Sequence, residues 1–276
     1  SQSNVTTLLF TAYNTQEATL IASGVRKLKS TSTLSQDFEP EYITISADSQ
    51  KAWVTLQENN AIAEINLTNN TISDVWALGT KDISLPGNGF DVSDNNSQVL
   101  IANWPIQAYF IPDGVASYTV GGTTFLVTAN EGDEKEYTGF TERVAVGAGA
   151  YTLDATNFPN ASVLKQNHNL GRFRVTNLNG NTDADAQFET IHCLGTRSFS
   201  IFNTSTKQIV FDSGDDFERY TAANLPTLFN ADHENNTPKG RSRAKGPEPE
   251  GVTIAQIATE TFAFVSLERV GGVIVY

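Results

Sequence analysis

Three pairs of acidic residues recur along this chain with nearly constant spacing. Each pair opens just after a proline and closes at the end of a strand-like apolar run. The members of a pair are 17, 18 and 18 residues apart, and the pairs are Glu41 with Glu58, Asp113 with Glu131, and Glu250 with Glu268. Carboxylates held close together raise one another's pKa or need a cation, and their oxygens suit Ca²⁺ and Mg²⁺. The pairs therefore predict a divalent-cation site, with Ca²⁺ as the expected ion.

The alternative is that these acids have a structural role only. They would then be solvated, cap backbone N–H groups, or pair with basic residues. The basic residues that could do so are Lys135, Arg143, Arg197, Arg219 and Arg269. Both interpretations stay open at this point, because ion-pair networks perturb carboxylates as functional sites do.

A second acidic stretch, NGNTDADAQFE, is a weaker candidate for metal binding. Asp183 and Asp185 are two residues apart, which is the oxygen spacing of calcium loops. Ala186 stands where an EF-hand loop needs Gly, and His192 where it needs a bidentate Glu. We therefore expect a solvated hairpin turn here, with another kind of calcium loop as the alternative.

Residues for nucleophilic catalysis are not recognisable, so no catalytic residue is assigned. No G-x-S-x-G sequence occurs, and Cys193 lies in the apolar run IHCLG, where we expect a buried, inert thiol. Phosphoryl transfer would need a basic residue beside the acids to hold the substrate. Arg269 beside Glu268 and Lys135 beside Glu134 are the candidates for that role.

The elements that would position the acid pairs are short β-strands. Brief alternating or apolar runs are separated by Asn, Gly, Asp and Pro clusters, which indicates an all-β fold. Helical periodicity is limited to one stretch, from Asp216 to Ala223.

Internal repeats give the expected architecture. Each acid pair brackets two strands, with second strands predicted at Ala52 to Leu56, Phe125 to Ala129 and Phe262 to Ser266. The segments AIAEINLTNNTISDVWALG and SFSIFNTSTKQIVFDSGD resemble each other as further strand pairs. An inner pair followed by an outer pair makes a four-stranded antiparallel blade, so we predict a β-propeller. The two ends of an antiparallel pair meet, which would bring all six acids to the mouth of one channel.

The repeat is irregular, which bears on domain organisation. Successive first acids are 72 and 137 residues apart, more than the about 40 to 50 residues of a plain blade. We therefore expect one propeller domain or segment over residues 1–276, with long insertions near 81–112 and 132–170. The final strand Gly272 to Tyr276 suggests a partial propeller, completed by further sequence or by another chain.

Composition restricts the partners. The 276 residues carry a formal net charge of −13, which repels nucleic acid and anionic membranes. No apolar run approaches the about 20 residues needed to span a bilayer. We therefore expect no nucleic-acid partner and no transmembrane segment; the expected partner is an extracellular protein or glycan, or another part of the same propeller.

An extracellular location is suggested by several features. Ser1 follows no initiator Met, as in a mature or excised form, whereas the single cysteine excludes an intrachain disulfide and leaves the redox compartment open. N-glycosylation sequons are what a glycosylated extracellular protein would carry if its source is eukaryotic, although the abundance of Asn, Ser and Thr would produce several by chance. The sequons begin at Asn4, Asn66, Asn69, Asn95, Asn160, Asn203 and Asn235.

Long motifs in the chain resemble one protein family. They include EPEYITIS, AWVTLQENNAIAEI, LPGNGFD, TANEGDEKEY, FDSGDDFE, KGPEPEGVT and LERVGGVIVY. From Phe38 to Tyr276 the chain is similar to the choice-of-anchor I proteins, whose animal counterparts are mesenchyme-specific cell surface glycoproteins. The resemblance implies a secreted or surface-anchored propeller, often one module of a larger protein. Some relatives carry alkaline phosphatase or phytase-like labels.

Departures from the family pattern weaken any transfer of a catalytic role. Glu134 and Lys135 follow the EGD motif where the family has a small residue and Arg, and Ile83 follows Asp82 where His or Tyr is common. The preferred function is an extracellular binding or matrix module with a cation at its acidic mouth. The alternatives are a calcium-dependent phosphoesterase and a purely structural surface component.

Overall fold

The computed structural model describes residues 5–183 and 185–276, and β-strands dominate this range. In chain order the strands are β1 (Pro40–Ile45), β2 (Lys51–Leu56), β3 (Ala61–Asn66), β4 (Thr71–Ala77), β5 (Thr80–Asp82), β6 (Phe90–Asp91), β7 (Ile101–Ala102), β8 (Ile106–Tyr109), β9 (Val115–Val120), β10 (Thr123–Ala129), β11 (Glu136–Tyr137), β12 (Phe140–Thr141), β13 (Arg143–Ala145), β14 (Thr152–Leu153), β15 (Arg174–Thr176), β16 (Gln187–Phe188), β17 (Ile191–Leu194), β18 (Phe199–Asn203), β19 (Gln208–Asp212), β20 (Pro249–Ile257), β21 (Glu260–Leu267) and β22 (Gly272–Val275). The predicted all-β class is confirmed.

Helices are few and short. A 3₁₀-helix spans Phe10–Gln16, and the α-helices are α1 (Glu17–Ala22), α2 (Leu34–Asp37), α3 (Ala161–Leu164) and α4 (Asp216–Asn224). The longest, α4, confirms the helix predicted from Asp216. Among the described residues, no helix combines the length and apolar character needed to cross a membrane.

The first sheet is a four-stranded antiparallel meander in the order β1-β2-β3-β4. Its tight turns use Asn60 and Asn70, whose φ angles are 52° and 54°. Asn tolerates this left-handed conformation better than most residues, which is why it is the last turn residue before β3 and before β4. The outer segment AIAEINLTNNTISDVWALG supplies β3 and β4.

The second sheet has the order β19-β18-β10-β9 and is also antiparallel throughout. Gly121 and Gly122 join β9 to β10 with positive φ angles at both positions, as a two-residue hairpin turn requires. Residues 130–198 lie between β10 and β18, although these strands are hydrogen-bonded neighbours. A third sheet contains three strands in the order β20-β21-β22.

The three sheets pack in series, with their first strands side by side. β1 lies against β9, and β9 lies against β20. Trp53, Trp76, Leu126 and Phe202 share a core between the first and second sheets. Val127, Phe199, Val265 and Leu267 belong to a core shared by the second and third sheets. Within residues 5–183 and 185–276 no closed barrel or propeller is identified.

The segments outside these sheets form a core of their own. Ile83, Phe90 and Ile106 pack with Tyr151, Phe173, Ile191 and Cys193. This region contains the parallel pairs β8–β17 and β14–β16, which differ from the antiparallel pairing expected from the sequence. Cys193 is buried as expected, and burial raises the pKa of its thiol to about 12.

Candidate cation site

Strand register aligns the three sheets residue by residue. Equivalent backbone partners on the first two strands of each sheet are Ile43 with Val54, Val115 with Thr128, and Val252 with Val265. The acids two residues before the first partner are Glu41, Asp113 and Glu250. Because β1, β9 and β20 are neighbours, these three acids begin adjacent strands at the same end of the fold.

A local irregularity in the strands presents two of these acids. Pro40 pairs with Leu56 and Pro249 pairs with Leu267, and in both cases the register shifts over the next residues. Proline lacks an N–H donor and is tolerated at the first residue of a strand. A hydroxyl then replaces the lost partner: Thr55 Oγ1 accepts from the N–H of Tyr42 at 2.9 Å. Ser266 Oγ accepts from Gly251 in the same way, at 2.9 Å.

The second strands supply a second equivalent row. The residues three positions after the second partner are Gln57, Glu131 and Glu268. The register therefore places Gln57, and not Glu58, at the position of Glu131 and Glu268. The sequence alignment that paired Glu58 with those acids was wrong by one residue, because the first hairpin is shorter: Ile43 and Val54 are 11 residues apart, whereas Val252 and Val265 are 13 apart. Gln57 Nε2 donates to Glu131 Oε2 at 2.9 Å, so these two members of the row are in direct contact.

The six acids singled out in the sequence interact electrostatically in the fold. Glu58 interacts with Glu41, Glu41 with Glu131, Asp113 with both Glu131 and Glu250, and Glu268 with Glu250. Asp133 and Glu248 join them. We refer to the eight residues Glu41, Glu58, Asp113, Glu131, Asp133, Glu248, Glu250 and Glu268 as the acidic cluster.

Three basic side chains balance part of the acidic cluster, and all three contact Glu248. Lys245 Nζ lies 2.6 Å from Glu131 Oε1, 3.0 Å from Asp133 Oδ1 and 3.4 Å from Glu248 Oε2. Arg269 Nε lies 2.9 Å from Glu248 Oε2, and Arg241 also pairs with this carboxylate. Glu248 is fully buried, and these cations offset the cost of burying it.

The remaining carboxylates of the acidic cluster have no such balance. Within the described part of the chain, Glu41, Glu58, Asp113 and Glu250 form no ion pair, and the buried Oε2 of Glu58 has no hydrogen-bond partner. Burial, followed by repulsion from Glu131 and Glu250, raises the pKa of Asp113 to about 7. Burial likewise raises the pKa of Glu58 to about 7. The acidic cluster is therefore short of positive charge.

One subset of the acidic cluster has close metal-ligand spacing. Glu131, Glu248 and Glu268 each offer an oxygen within 4.8 Å of the others. Lys245 and Arg269 already neutralise much of this triad. Asp113 and Glu250 have no ion pair with any described residue, and the backbone beside them is close enough for the N–H of Gly114 to donate to the carbonyl of Glu250 at 2.9 Å.

The two basic residues considered for substrate binding occupy different surroundings. Lys135 is buried, and its Nζ donates to the carbonyl of Asp37 at 2.6 Å and lies 3.3 Å from Glu39. Its charge is thus committed within the protein. Arg269 lies at the acidic cluster, 3.1 Å from Glu268, and contacts Nδ1 of His233 at 3.0 Å.

The second acidic stretch lies on an exposed turn. Asp183 and Asp185 each offer an oxygen within 4.8 Å of the other and of Glu189. Asp183 Oδ1 accepts from the N–H of Asp185, and Glu189 Oε2 accepts from Thr182, so turn hydrogen bonds use one oxygen of each, whereas the buried Oε1 of Glu189 has no hydrogen-bond partner among the described residues. Metal binding at this turn stays a prediction.

The sequon asparagines divide into two groups by exposure. Asn66 and Asn203 are half-buried, and their side-chain oxygens accept hydrogen bonds from backbone N–H groups in the turns that follow β3 and β18. Asn4 lies outside the described residues. The exposed asparagines are Asn69, Asn95, Asn160 and Asn235.

Sequence reasoning missed several members of the site. Glu248 is the first acid of the PEPEG motif, of which only the second, Glu250, was selected. Its φ of 51° turns the chain so that both acids enter the acidic cluster, which no spacing rule reveals. Lys245 is part of the alternating RSRAK run, and that run of basic residues in an acidic chain was a usable signal.

Comparison with known proteins gives consistent results. The choice-of-anchor I domain family matches residues 1–276. The mesenchyme-specific cell surface glycoprotein of Strongylocentrotus purpuratus is 25% identical over 276 residues, covering 88% of this chain and 35% of the relative. Gigasin-3a of Magallana gigas is 31% identical over 112 residues, which is 39% of each protein. The chain spans well under half the length of these relatives.

Proposed function

We propose, from the premise that this chain belongs to the choice-of-anchor I domain family, that it is an extracellular surface module whose acidic cluster binds Ca²⁺. The family and the cell surface glycoprotein among its relatives point to the cell surface or extracellular space. The binding function is our proposal, since neither relative's name specifies a ligand.

The proposed architecture is part of a β-propeller. Four-stranded antiparallel sheets that stack with their first strands innermost are the blades of such a fold. The series β1, β9, β20 and the shared cores between the sheets support this interpretation. In a propeller the acidic cluster would lie at one mouth of the central channel, accessible to a ligand.

One observation carries the cation proposal. Glu41, Asp113 and Glu250 occupy equivalent positions on three adjacent strands, yet they form no ion pair with any described residue. Oxygen ligands from flexible carboxylates suit Ca²⁺ better than the rigid octahedral requirement of Mg²⁺. Asp113 and Glu250 would hold the ion, with Glu41 across the acidic cluster as a further ligand.

The test is calcium binding by the whole chain after removal of metal by a chelator. Isothermal titration with CaCl₂ should give a Kd in the range of about 10⁻⁴ to 10⁻³ M that extracellular modules show. Added Ca²⁺ should also raise the melting temperature, because it binds only the folded state. The variant D113N/E250Q should lose both effects.

A matched control is available in Glu260→Gln, an exposed acid at the start of β21 and outside the acidic cluster. It should bind Ca²⁺ as the unmodified chain does. Calcium binding that persists in D113N/E250Q, or no binding by the unmodified chain, would overturn the proposal. Calcium-dependent hydrolysis of p-nitrophenyl phosphate would instead favour the phosphoesterase alternative.

A further inference from the structure

A group of arginines lies beside the acidic cluster. Arg143 on β13 and Arg174 on β15 are on paired antiparallel strands. The backbone N–H of Arg174 donates to the carbonyl of Arg243 at 2.9 Å, which brings the segment carrying Arg241 and Arg243 alongside. We refer to Arg143, Arg174, Arg241 and Arg243 as the arginine cluster.

Three members of the arginine cluster have acidic partners. Arg143 pairs with Glu134, and Arg241 pairs with Glu248. Arg243 Nε lies 2.8 Å from Asp94 Oδ2, although this N–H has no acceptor in hydrogen-bonding geometry.

Arg174 differs from the other three. Its side chain forms no ion pair or hydrogen bond with any residue in 5–183 or 185–276. Partial burial, followed by the charges of Arg143 and Arg243, lowers the pKa of its guanidinium, and the charge of Glu134 opposes this shift only in part. A half-buried guanidinium among three others, with five N–H donors unused, is a position that an anion would stabilise.

The concentration of positive charge here contrasts with the rest of the molecule. The chain has 18 basic and 31 acidic residues. Long-range repulsion would therefore disfavour an extended polyanion, whereas a single small anionic group can approach the guanidinium of Arg174, which has no ion pair among the described residues.

The backbone beneath the arginine cluster is fixed by a buried cation. Arg197 donates to the carbonyls of Ser242 and Ala244 at 2.7 and 2.8 Å, and also pairs with the buried Glu218. Ser242 and Ala244 are buried, whereas the alternating residues Arg241 and Arg243 are partly exposed. The backbone that carries Arg241 and Arg243 is thus fixed before a ligand arrives, which lowers the entropic cost of binding.

We propose that the arginine cluster binds a tetrahedral oxyanion, the phosphate or sulfate group of a larger ligand, with Arg174 as its principal contact. Guanidinium groups match such oxyanions through paired N–H donors. The inference does not depend on Ca²⁺, since no residue of the arginine cluster needs the cation. Lys245 connects the two regions, because it contacts the acidic cluster and lines a small cavity together with Arg174 and Glu134.

The experiment is isothermal titration of the full chain in EDTA with sodium sulfate and with sodium phosphate, against sodium chloride at equal ionic strength. Both oxyanions should bind, and Arg174→Gln should weaken both by at least about tenfold, the equivalent of about 1.4 kcal/mol. Arg219→Gln is the matched control, because this exposed arginine already pairs with Asp215. The affinity of Arg219→Gln for both oxyanions should equal that of the unmodified chain.

Binding no stronger than that of chloride, or full affinity in Arg174→Gln, would overturn the proposal. Circular dichroism checks the fold of each variant, and Arg143→Gln replaces Arg174→Gln if the latter is unfolded, with the same expected loss. Titration with phenyl phosphate and with phenyl sulfate then separates the two kinds of ligand. The tighter of the two esters indicates whether the larger ligand carries a phosphate or a sulfate group. Because EDTA is present throughout, failure here leaves the calcium proposal unaffected.

Discussion

Glu58 and Asp113 are carboxyls whose surroundings favour the protonated form. Both have a pKa raised to about 7, chiefly by burial. In the unfolded chain they would titrate near 4.5 and 3.8. The folded state therefore holds more protons than the unfolded state between these values and pH 7, and stability falls as pH rises through that window.

Glu58→Gln should remove most of its share of this pH dependence. A neutral amide of the same shape has no charge to bury. Between pH 5 and pH 8 the variant should therefore lose less stability than the unmodified chain, by on the order of 3 kcal/mol for a pKa shift from 4.5 to about 7. Urea unfolding at the two pH values, without divalent ions, measures the difference. Glu260→Gln should show the unmodified pH dependence; an equal pH dependence in Glu58→Gln would contradict the burial argument.

At this scale the sequence predicted the acids better than their partners. Spacing after a proline was enough to select Glu41, Asp113 and Glu250, because each begins an equivalent strand. It could not select Glu248, whose place depends on a left-handed backbone, or Gln57, which carries no charge to notice.

Among the elements, the contact between β9 and β20 sets the geometry of the acidic cluster. At Gly114, just before β9, a Cβ atom would lie 2.6 Å from the carbonyl oxygen of Glu250 and 3.0 Å from the backbone nitrogen of Val252. Both are backbone atoms, so the strands themselves would have to separate. The absence of a side chain at Gly114 is what lets Asp113 and Glu250 approach.

Gly114→Ala should therefore destabilise the protein by about 1–3 kcal/mol through overpacking, and should weaken Ca²⁺ binding as well. Chemical denaturation and calcium titration measure the two effects. Gly149→Ala is the matched control, since a Cβ there meets no atom within 4 Å. Unchanged stability and unchanged calcium affinity in Gly114→Ala would show that the strands tolerate the added methyl group.

The strands themselves were largely accessible to sequence reasoning, whereas their exact register was not. Alternation and turn residues placed the second strands within β2, β10 and β21. The acid spacing of the first repeat was misleading because its hairpin is two residues shorter between equivalent positions than the other two. A shift of one residue exchanges the two faces of a strand.

For the whole molecule, the net charge of −13 should make the fold sensitive to salt. Self-repulsion destabilises a compact state, and ionic strength screens it over distances of about 10 Å at 0.1 M. Raising NaCl from 20 to about 300 mM in EDTA should raise the melting temperature. The rise should be smaller in saturating CaCl₂, and a fall in melting temperature with NaCl would contradict the prediction.

The sequence also left the relation between its irregular segments undetermined. Long insertions near 81–112 and 132–170 were expected, without any indication of what they would pack against. Their apolar residues instead meet in one core with Phe188 and Ile191, and contacts between segments so far apart in the chain leave no periodic signal.

The placement of residues 130–198 between β10 and β18 has a consequence for how the protein forms. The hairpins β9–β10 and β18–β19 are local and can close within microseconds, but joining them requires the chain to bring together ends separated by that whole segment. Closing so long a loop adds little to the final free energy, because the entropic cost grows only with the logarithm of length. The effect is kinetic. During synthesis the edge of β10 stays unpaired until β18 has been made, and in that interval the nascent chain is most exposed to pairing with the wrong strand.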